Sequence, residues 1–557
     1  MERNHQVSLL RVVTAIVLAA GLGLLAACGG GGGGGAGAAS ASAPGAFSMT
    51  NPANSAASVV PTPTLSWASA SGATTYTVQV YTSPTFSTNN TFQSTAIPSG
   101  TTSIIASSLS PSTVYYWRVL AVNSVGTTTA SGAPFSFTTK KSGERVWAQT
   151  VDPSVSFDDE VYGVAVDANA LYAVGFDSGT VKFDDQWRIE KRDLVNGDLM
   201  PSFGTAGVIV TNPSATTINS YDDANAIAID SIYMYVVGYD AVPDVASGAS
   251  SLTDDEWRIE KRRLDTGALD PSFGSAGVVV SNPSSSIDEA AALAIDSQYM
   301  YVAGYDTKAG RGKEWRIEKR LLSTGESVTA FGVNGVVTSD PSANADKALA
   351  IAIDGTDMYI AGYESAGSGL KQWRIEKRAL DTGFLDGTFG LSGVISIPTV
   401  TGDSIISSIA VDVVSVYVAG YVTINAGNTA WQIEKRDKVN GNVTWAVSTN
   451  PNFLRSHSPK AIVVDTNNIY IAGFEDISTD ANPLIQELEW RIEKRGLSDG
   501  SFVTSFATNG IYQSHPSSAS LFDDDIWALT SDTDYLYVAG YDTVPGHREW
   551  RIEKIVK

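Results

Sequence analysis

Two sets of charged residues recur at spacings that could do chemistry. The first is the segment Trp-Arg-Ile-Glu-Lys, whose Trp stands at 187, 257, 315, 373, 490 and 550, with the variant Trp431-Gln432-Ile433-Glu434-Lys435 among them. On a strand, Trp and Ile share one face while Arg and Glu share the other. Such a face could hold a charged ligand seven times over, or it could neutralise itself inside the protein, because an isolated buried charge is strongly unfavourable. Self-neutralisation is the expectation. Arg188 and Glu190, Arg258 and Glu260, Arg316 and Glu318, Arg374 and Glu376, Arg491 and Glu493, and Arg551 and Glu553 are expected to pair between neighbouring units. Gln432 removes one arginine, so the pairing around Glu434 is expected to be altered.

The second set is acidic. Asp159 and Glu160, Asp222 and Asp223, Asp288 and Glu289, Asp346, Asp403, and Asp524 and Asp525 each stand just before an apolar, mostly alanine-containing stretch. Gathered on one face, they would make a rim favouring a cation or a basic partner. Carboxylates at these places also cap turns and solvate strand ends. Evidence for catalysis is sparse. His5, His457, His515 and His547 have no metal-ligand spacing, and no nucleophile elbow or phosphate-binding glycine loop occurs. No cofactor and no metal site is expected, and no Asp-x-Asp-x-Asp-Gly calcium loop is present.

Lys and Arg total 37 against 59 Asp and Glu, a formal charge of -22. That field repels phosphate backbones and argues against nucleic-acid binding. The single cysteine, Cys28, excludes an internal disulfide.

The recurring segments must be positioned by recurring elements. The seven Trp residues lie 58 to 60 positions apart after a first interval of 70. Each unit carries four apolar stretches, seen in Ala292–Asp296, Met300–Tyr305, Trp315–Leu322 and Phe331–Val337. Pairs such as Asn196-Gly197, Thr266-Gly267 and Asn440-Gly441 join the third stretch to the fourth and tolerate the positive φ of tight hairpins. Seven four-stranded meanders predict a seven-bladed β-propeller. The last unit ends after its third stretch, and Val146-Trp147-Ala148-Gln149-Thr150-Val151 is similar to Thr444-Trp445-Ala446-Val447-Ser448 of the fifth unit. The N-terminal strand is therefore expected to complete the last blade and leave no free edge there.

Ahead of the repeats, Arg3 and Arg11 precede an apolar run ending in Leu25-Ala26-Ala27-Cys28, which resembles the bacterial lipobox. The resemblance implies a signal peptide at 1–27, lipidation of Cys28, and anchoring in the cell envelope, at the outer membrane because Gly29 follows the cysteine. Residues 28–46 read as a Gly/Ala/Ser-rich tether. In 47–140, Leu109-Ser110-Pro111-Ser112-Thr113-Val114-Tyr115 resembles the fibronectin type III tyrosine corner, in which Tyr115 would hydrogen-bond the backbone just upstream. The repeats of 144–557 resemble the bacterial delta-sixty repeat, best in Leu269-Asp270-Pro271-Ser272-Phe273-Gly274 and Tyr301–Tyr305. That family implies a propeller and no activity.

The function expected is that of a non-enzymatic, envelope-anchored binding or scaffold lipoprotein, holding a protein or glycan ligand on a propeller face. An alternative is a propeller hydrolase or lyase acting on polysaccharide, and another is a purely structural surface protein. Aromatic and acidic side chains converging where the first strands meet would favour the enzyme; a plug of alanines would not.

Overall fold

Alternation of apolar and polar residues gives strands throughout, as in Thr75–Tyr81, where Tyr76, Val78 and Val80 are buried and the residues between them half-buried. The computed structural model describes residues 42–557 apart from 88–90, 108, 155–156, 180–183, 214–220, 243–253, 426–427, 453, 479–485, 516–522 and 545–546. The proposed leader and Cys28 lie outside the described residues. The described chain is all-β.

Two sheets come first. Met49–Asn51, Thr64–Trp67 and Ser103–Ile105 form one, and a six-stranded sheet centred on Thr75–Tyr81 and Val114–Val122 forms the other. They share a core containing Leu65, Trp67, Tyr76, Tyr115 and Trp117. The Ser110 N–H donates to the Tyr115 hydroxyl at 2.8 Å, fixing the turn that enters the strand.

Seven four-stranded antiparallel sheets follow among the described residues. Sheet one pairs Asp159–Val166, Ala170–Asp177, Gln186–Asp193 and Val208–Thr211 in that order. Sheets two to six repeat the order from first strands Asp223–Ile229, Glu289–Ile295, Lys347–Asp354, Ile405–Val411 and His457–Val464. Sheet seven is built from Asp525–Ser531, Tyr535–Val544 and His547–Val556. Its fourth strand is Arg145–Val151, which sets Gln149 opposite Ile552. First strands of consecutive sheets lie side by side, and that of sheet seven lies beside that of sheet one.

Tryptophan joins the sheets. Trp187 is fully buried in a cluster with Phe203 and with Met234 and Val236 of the next sheet. Its indole N–H donates to the Tyr239 carbonyl at 3.0 Å. Trp257, Trp315, Trp373, Trp431 and Trp490 repeat this bond to Tyr305, Tyr363, Tyr421, Phe474 and Tyr541. Trp550 makes it to Phe176 of sheet one at 2.8 Å.

The arginines and glutamates pair within a sheet rather than between sheets. Arg188 directs Nε and Nη2 to Glu190 Oε1 at 2.9 and 2.6 Å, and Nη1 to Asp177 at 3.2 Å. Arg192 holds the other oxygen of Glu190 at 2.7 Å. The same arrangement recurs around Glu260, Glu318, Glu376 and Glu493. In sheet seven, where Ile555 replaces the second arginine, Arg145 of the N-terminal strand reaches Glu553 at 3.0 Å, and Arg551 holds it at 2.6 Å. Between sheets the contacts are of other kinds. Arg258 lies over the Trp187 ring, and Ser281 and Ser339 donate to Glu318 and Glu376 of the following sheet. The reason is reach. A residue two positions along the same strand face is adjacent, whereas the neighbouring sheet presents its tryptophan at that level. Around Glu434, Arg436 remains at 2.8 Å and Gln432 offers a neutral donor at 3.3 Å.

Candidate functional site

In all seven first strands the pairing register slips by one residue at the same place, between Val161 and Gly163 in sheet one and between Ile526 and Ala528 in sheet seven. Each slip is a β-bulge, which leaves one residue unpaired and re-aims its side chain. The bulged residues are Tyr162, Asn225, Ala291, Leu349, Ser407, Lys460 and Trp527. A glycine of the second strand faces each bulge because there is no room for more. A Cβ on Gly175 would run into the Glu160 carbonyl, and one on Gly540 into that of Asp525.

Two positions before the bulge stand Glu160, Asp223, Glu289, Lys347, Ile405, Ser458 and Asp525. Each lies opposite an aromatic residue, in turn Phe176, Tyr239, Tyr305, Tyr363, Tyr421, Phe474 and Tyr541. Side chains at these two levels meet across sheets. Arg548 of sheet seven binds Glu160 of sheet one at 2.5 Å. The Tyr162 and Trp527 rings meet edge to face at 5.6 Å. Lys460 lies over the Trp527 ring at 3.7 Å and reaches Asp525 at 3.3 Å. Asn225 donates to the Ala290 carbonyl at 3.0 Å.

The acidic rim read from the sequence divides by position. Asp159, Asp222, Asp288, Asp346 and Asp524 are buried turn caps. Each accepts a backbone N–H at the end of the second strand of its own sheet, as Asp288 does from Thr307 and Asp346 from Ser365, both at 2.7 Å. Asp403 accepts from Lys371 N at 3.0 Å and pairs with the Lys371 ammonium at 3.2 Å. Glu160, Asp223, Glu289 and Asp525 belong to the band beside the bulges. The basic and aromatic members of that band, among them Lys313, Lys347, Lys460, Arg548, Tyr162 and Trp527, do not stand out in the sequence. Its legible sign is the glycine recurring inside an otherwise apolar second strand, a mark of close backbone approach.

Electrostatics separate the carboxyls. Burial lifts Asp223 well above the carboxylate range despite the Tyr239 hydroxyl donating to it at 2.6 Å, and Asp185, Glu160 and Glu289 add to the rise. Burial pushes Asp525 up to about 7 against the pull of Lys460. Asp525 is therefore able to carry a proton near neutrality. Asp223 Oδ1, Asp525 Oδ1 and Trp527 Nε1 are buried and make no hydrogen bond among the described residues. A buried polar atom left unpaired costs about 1–3 kcal/mol, and these three lie in one band. No cluster of three or more His, Cys, Asp or Glu suited to a metal ion is present among the described residues.

No protein-family model matches the chain, and no curated protein matches it. Among solved structures, the chain is similar to the subtype N10 neuraminidase-like protein of A/little yellow-shouldered bat/Guatemala/060/2010. The identity is 9% and the TM-score 0.32, and the match covers 74% of this chain and 99% of that one.

Proposed function

We propose that residues 144–557 form a closed seven-bladed propeller that binds a saccharide where the seven first strands begin, and that residues 47–140 are a fibronectin type III-like spacer. On this reading Cys28 carries the lipid that tethers both to the cell envelope. Ring closure is supported by the pairing of Arg145–Val151 with His547–Val556 and by the Trp550 bond to Phe176. The spacer reading is supported by the hydrogen bond at Tyr115.

One observation carries the binding reading. The repeats hold nearly the same residues at the tryptophan, the glycine and the second-strand aromatic, yet the bulge position holds seven different residue types. A scaffold gains nothing from diversity at that level, whereas a ligand without sevenfold symmetry requires it. Half-buried aromatic rings, Trp527 and Tyr162, beside unpaired donor and acceptor atoms suit sugar rings with their apolar faces and hydroxyl edges. The test is an oligosaccharide panel titrated against the purified chain. Trp527→Ala is expected to weaken the binding seen by tenfold or more without unfolding the protein, and unchanged binding in that variant would refute the site.

A second reading, hydrolysis or elimination on a polysaccharide, is favoured by the raised affinities of Asp525 and Asp223 for protons. A carboxyl protonated near neutral pH is what a general acid needs. New chain ends released from a polysaccharide by the wild type and lost in Asp525→Asn would support it.

A further inference from the structure

We infer that Lys313 and Lys347 form an anion-holding end of this band, so that the saccharide it takes is an acidic one carrying a carboxylate or sulfate group. The inference rests on the saccharide-binding reading above and narrows it. Lys347 opens the first strand of sheet four, at the level where Glu160, Asp223, Glu289 and Asp525 stand in other sheets. Lys313 comes from the third strand of sheet three. The two ammonium groups share one aromatic support, lying 4.0 and 4.2 Å from the centroid of the Tyr305 ring. Lys313 also donates to the Tyr305 hydroxyl at 2.8 Å.

Their counter-charge is thin. Glu289 stands 3.9 Å from Lys347, at the limit of an ion pair. Asp255, the other acid near Lys313, is held up to about 7 by burial and by Glu289, so it supplies only part of a charge at neutral pH. Burial first, and then Lys347, push the Lys313 ammonium down to about 8. The band's other cations differ, because Arg548 holds Glu160 at 2.5 Å and Lys460 reaches Asp525 at 3.3 Å. Two half-buried ammonium groups drawn together over one ring are stabilised by an anion that touches both.

The chain's formal charge of -22 does not oppose this. At physiological ionic strength fields decay over about 8 Å, so distant surface acids are screened while groups in contact are not. The carboxylate of a uronic acid and the sulfate of a sulfated sugar present the same chemistry to the pair.

The experiment compares three oligosaccharides of equal length, one neutral, one uronate-containing and one sulfated, by calorimetric titration of the full chain at pH 7. The wild type is expected to bind at least one acidic chain tenfold or more tightly than the neutral one, and whichever acidic chain is preferred identifies the anion. In Lys313→Gln/Lys347→Gln that preference is expected to vanish, so that acidic and neutral chains bind alike. Equal binding of neutral and acidic chains by the wild type, or a preference that survives in the double variant, would overturn the inference and leave the saccharide site standing. Binding of none of the three would overturn both. Melting curves of the double variant keep the result interpretable, since replacing two like charges with amides is expected to leave the fold intact.

Discussion

Trp550, in the last strand of the chain, donates its indole N–H to the carbonyl of Phe176, in the second strand of sheet one, at 2.8 Å. The residues are 374 positions apart, yet the bond is the same as that of Trp315 to Tyr363, 48 positions apart. If the terminal contact holds a ring together, Trp550→Phe and Trp315→Phe should cost alike. Each loses a buried hydrogen bond and some packing, about 1–3 kcal/mol. Denaturant melts would check this. A terminal variant as stable as the wild type beside a damaged internal one would mean the ring is open.

The bulge depends on glycine. Gly540 has ordinary backbone angles, but a Cβ there would run into the Asp525 carbonyl. Gly540→Ala is therefore expected to cost about 1–3 kcal/mol through overpacking, and to shift Asp525 and Trp527. Gly100→Ala, on a turn where a Cβ meets nothing within 4 Å, is the control and should be neutral. Thermal melts of the pair would show the difference, and saccharide binding should fall only in the first.

Stability should depend on pH in a definite direction. Asp240 and Asp542 are pushed up to about 7, and Asp306 to about 6, by burial together with nearby acids. A carboxyl with a folded pKa above its unfolded value binds more protons folded than unfolded between the two values. Stability from these groups is therefore greatest near pH 4 and declines up to about pH 7. Asp240 and Asp542 face Glu256 and Glu549 across the strand pair, whereas sheets one and four place Gln186 and Gln372 there. Glu256→Gln and Glu549→Gln are expected to flatten the decline, raising the melting temperature at pH 8 more than at pH 4.5. An equal change at both values would assign the effect to packing instead.

What the sequence makes legible follows from what repeats. The tryptophans, hairpin glycines and apolar stretches recur because every sheet meets its neighbour in the same way, and a period is visible without coordinates. The acids before each first strand are visible too, but Asp288 and Glu289 are neighbours in the chain with opposite tasks, one capping a turn and the other facing Lys347. A one-residue bulge separates further tasks, and a bulge leaves little trace in an apolar strand. Lys313 and Lys347 are illegible for a different reason: they come from different sheets and meet only over Tyr305.

Sheet five tests how the buried charges are balanced. In sheets one to four, six and seven, the arginine beside the glutamate also holds an acid of the second strand, as Arg374 holds Glu364 at 2.5 Å and Arg551 holds Asp542 at 3.3 Å. Sheet five has Gln432 in place of the arginine and Val422 in place of the acid, opposite Ala430. The two changes go together physically, because an arginine at 432 would find Glu434 but lose its second carboxylate, while an acid at 422 alone would be buried without a cation. Gln432→Arg and Val422→Asp are each expected to destabilise the protein by about 1–3 kcal/mol, and the double variant to recover most of that loss. A double-mutant cycle measured by denaturant melts gives the coupling directly. Strictly additive losses would mean that the acid, arginine and glutamate do not act as one unit, and that the neutral pair in sheet five has another cause.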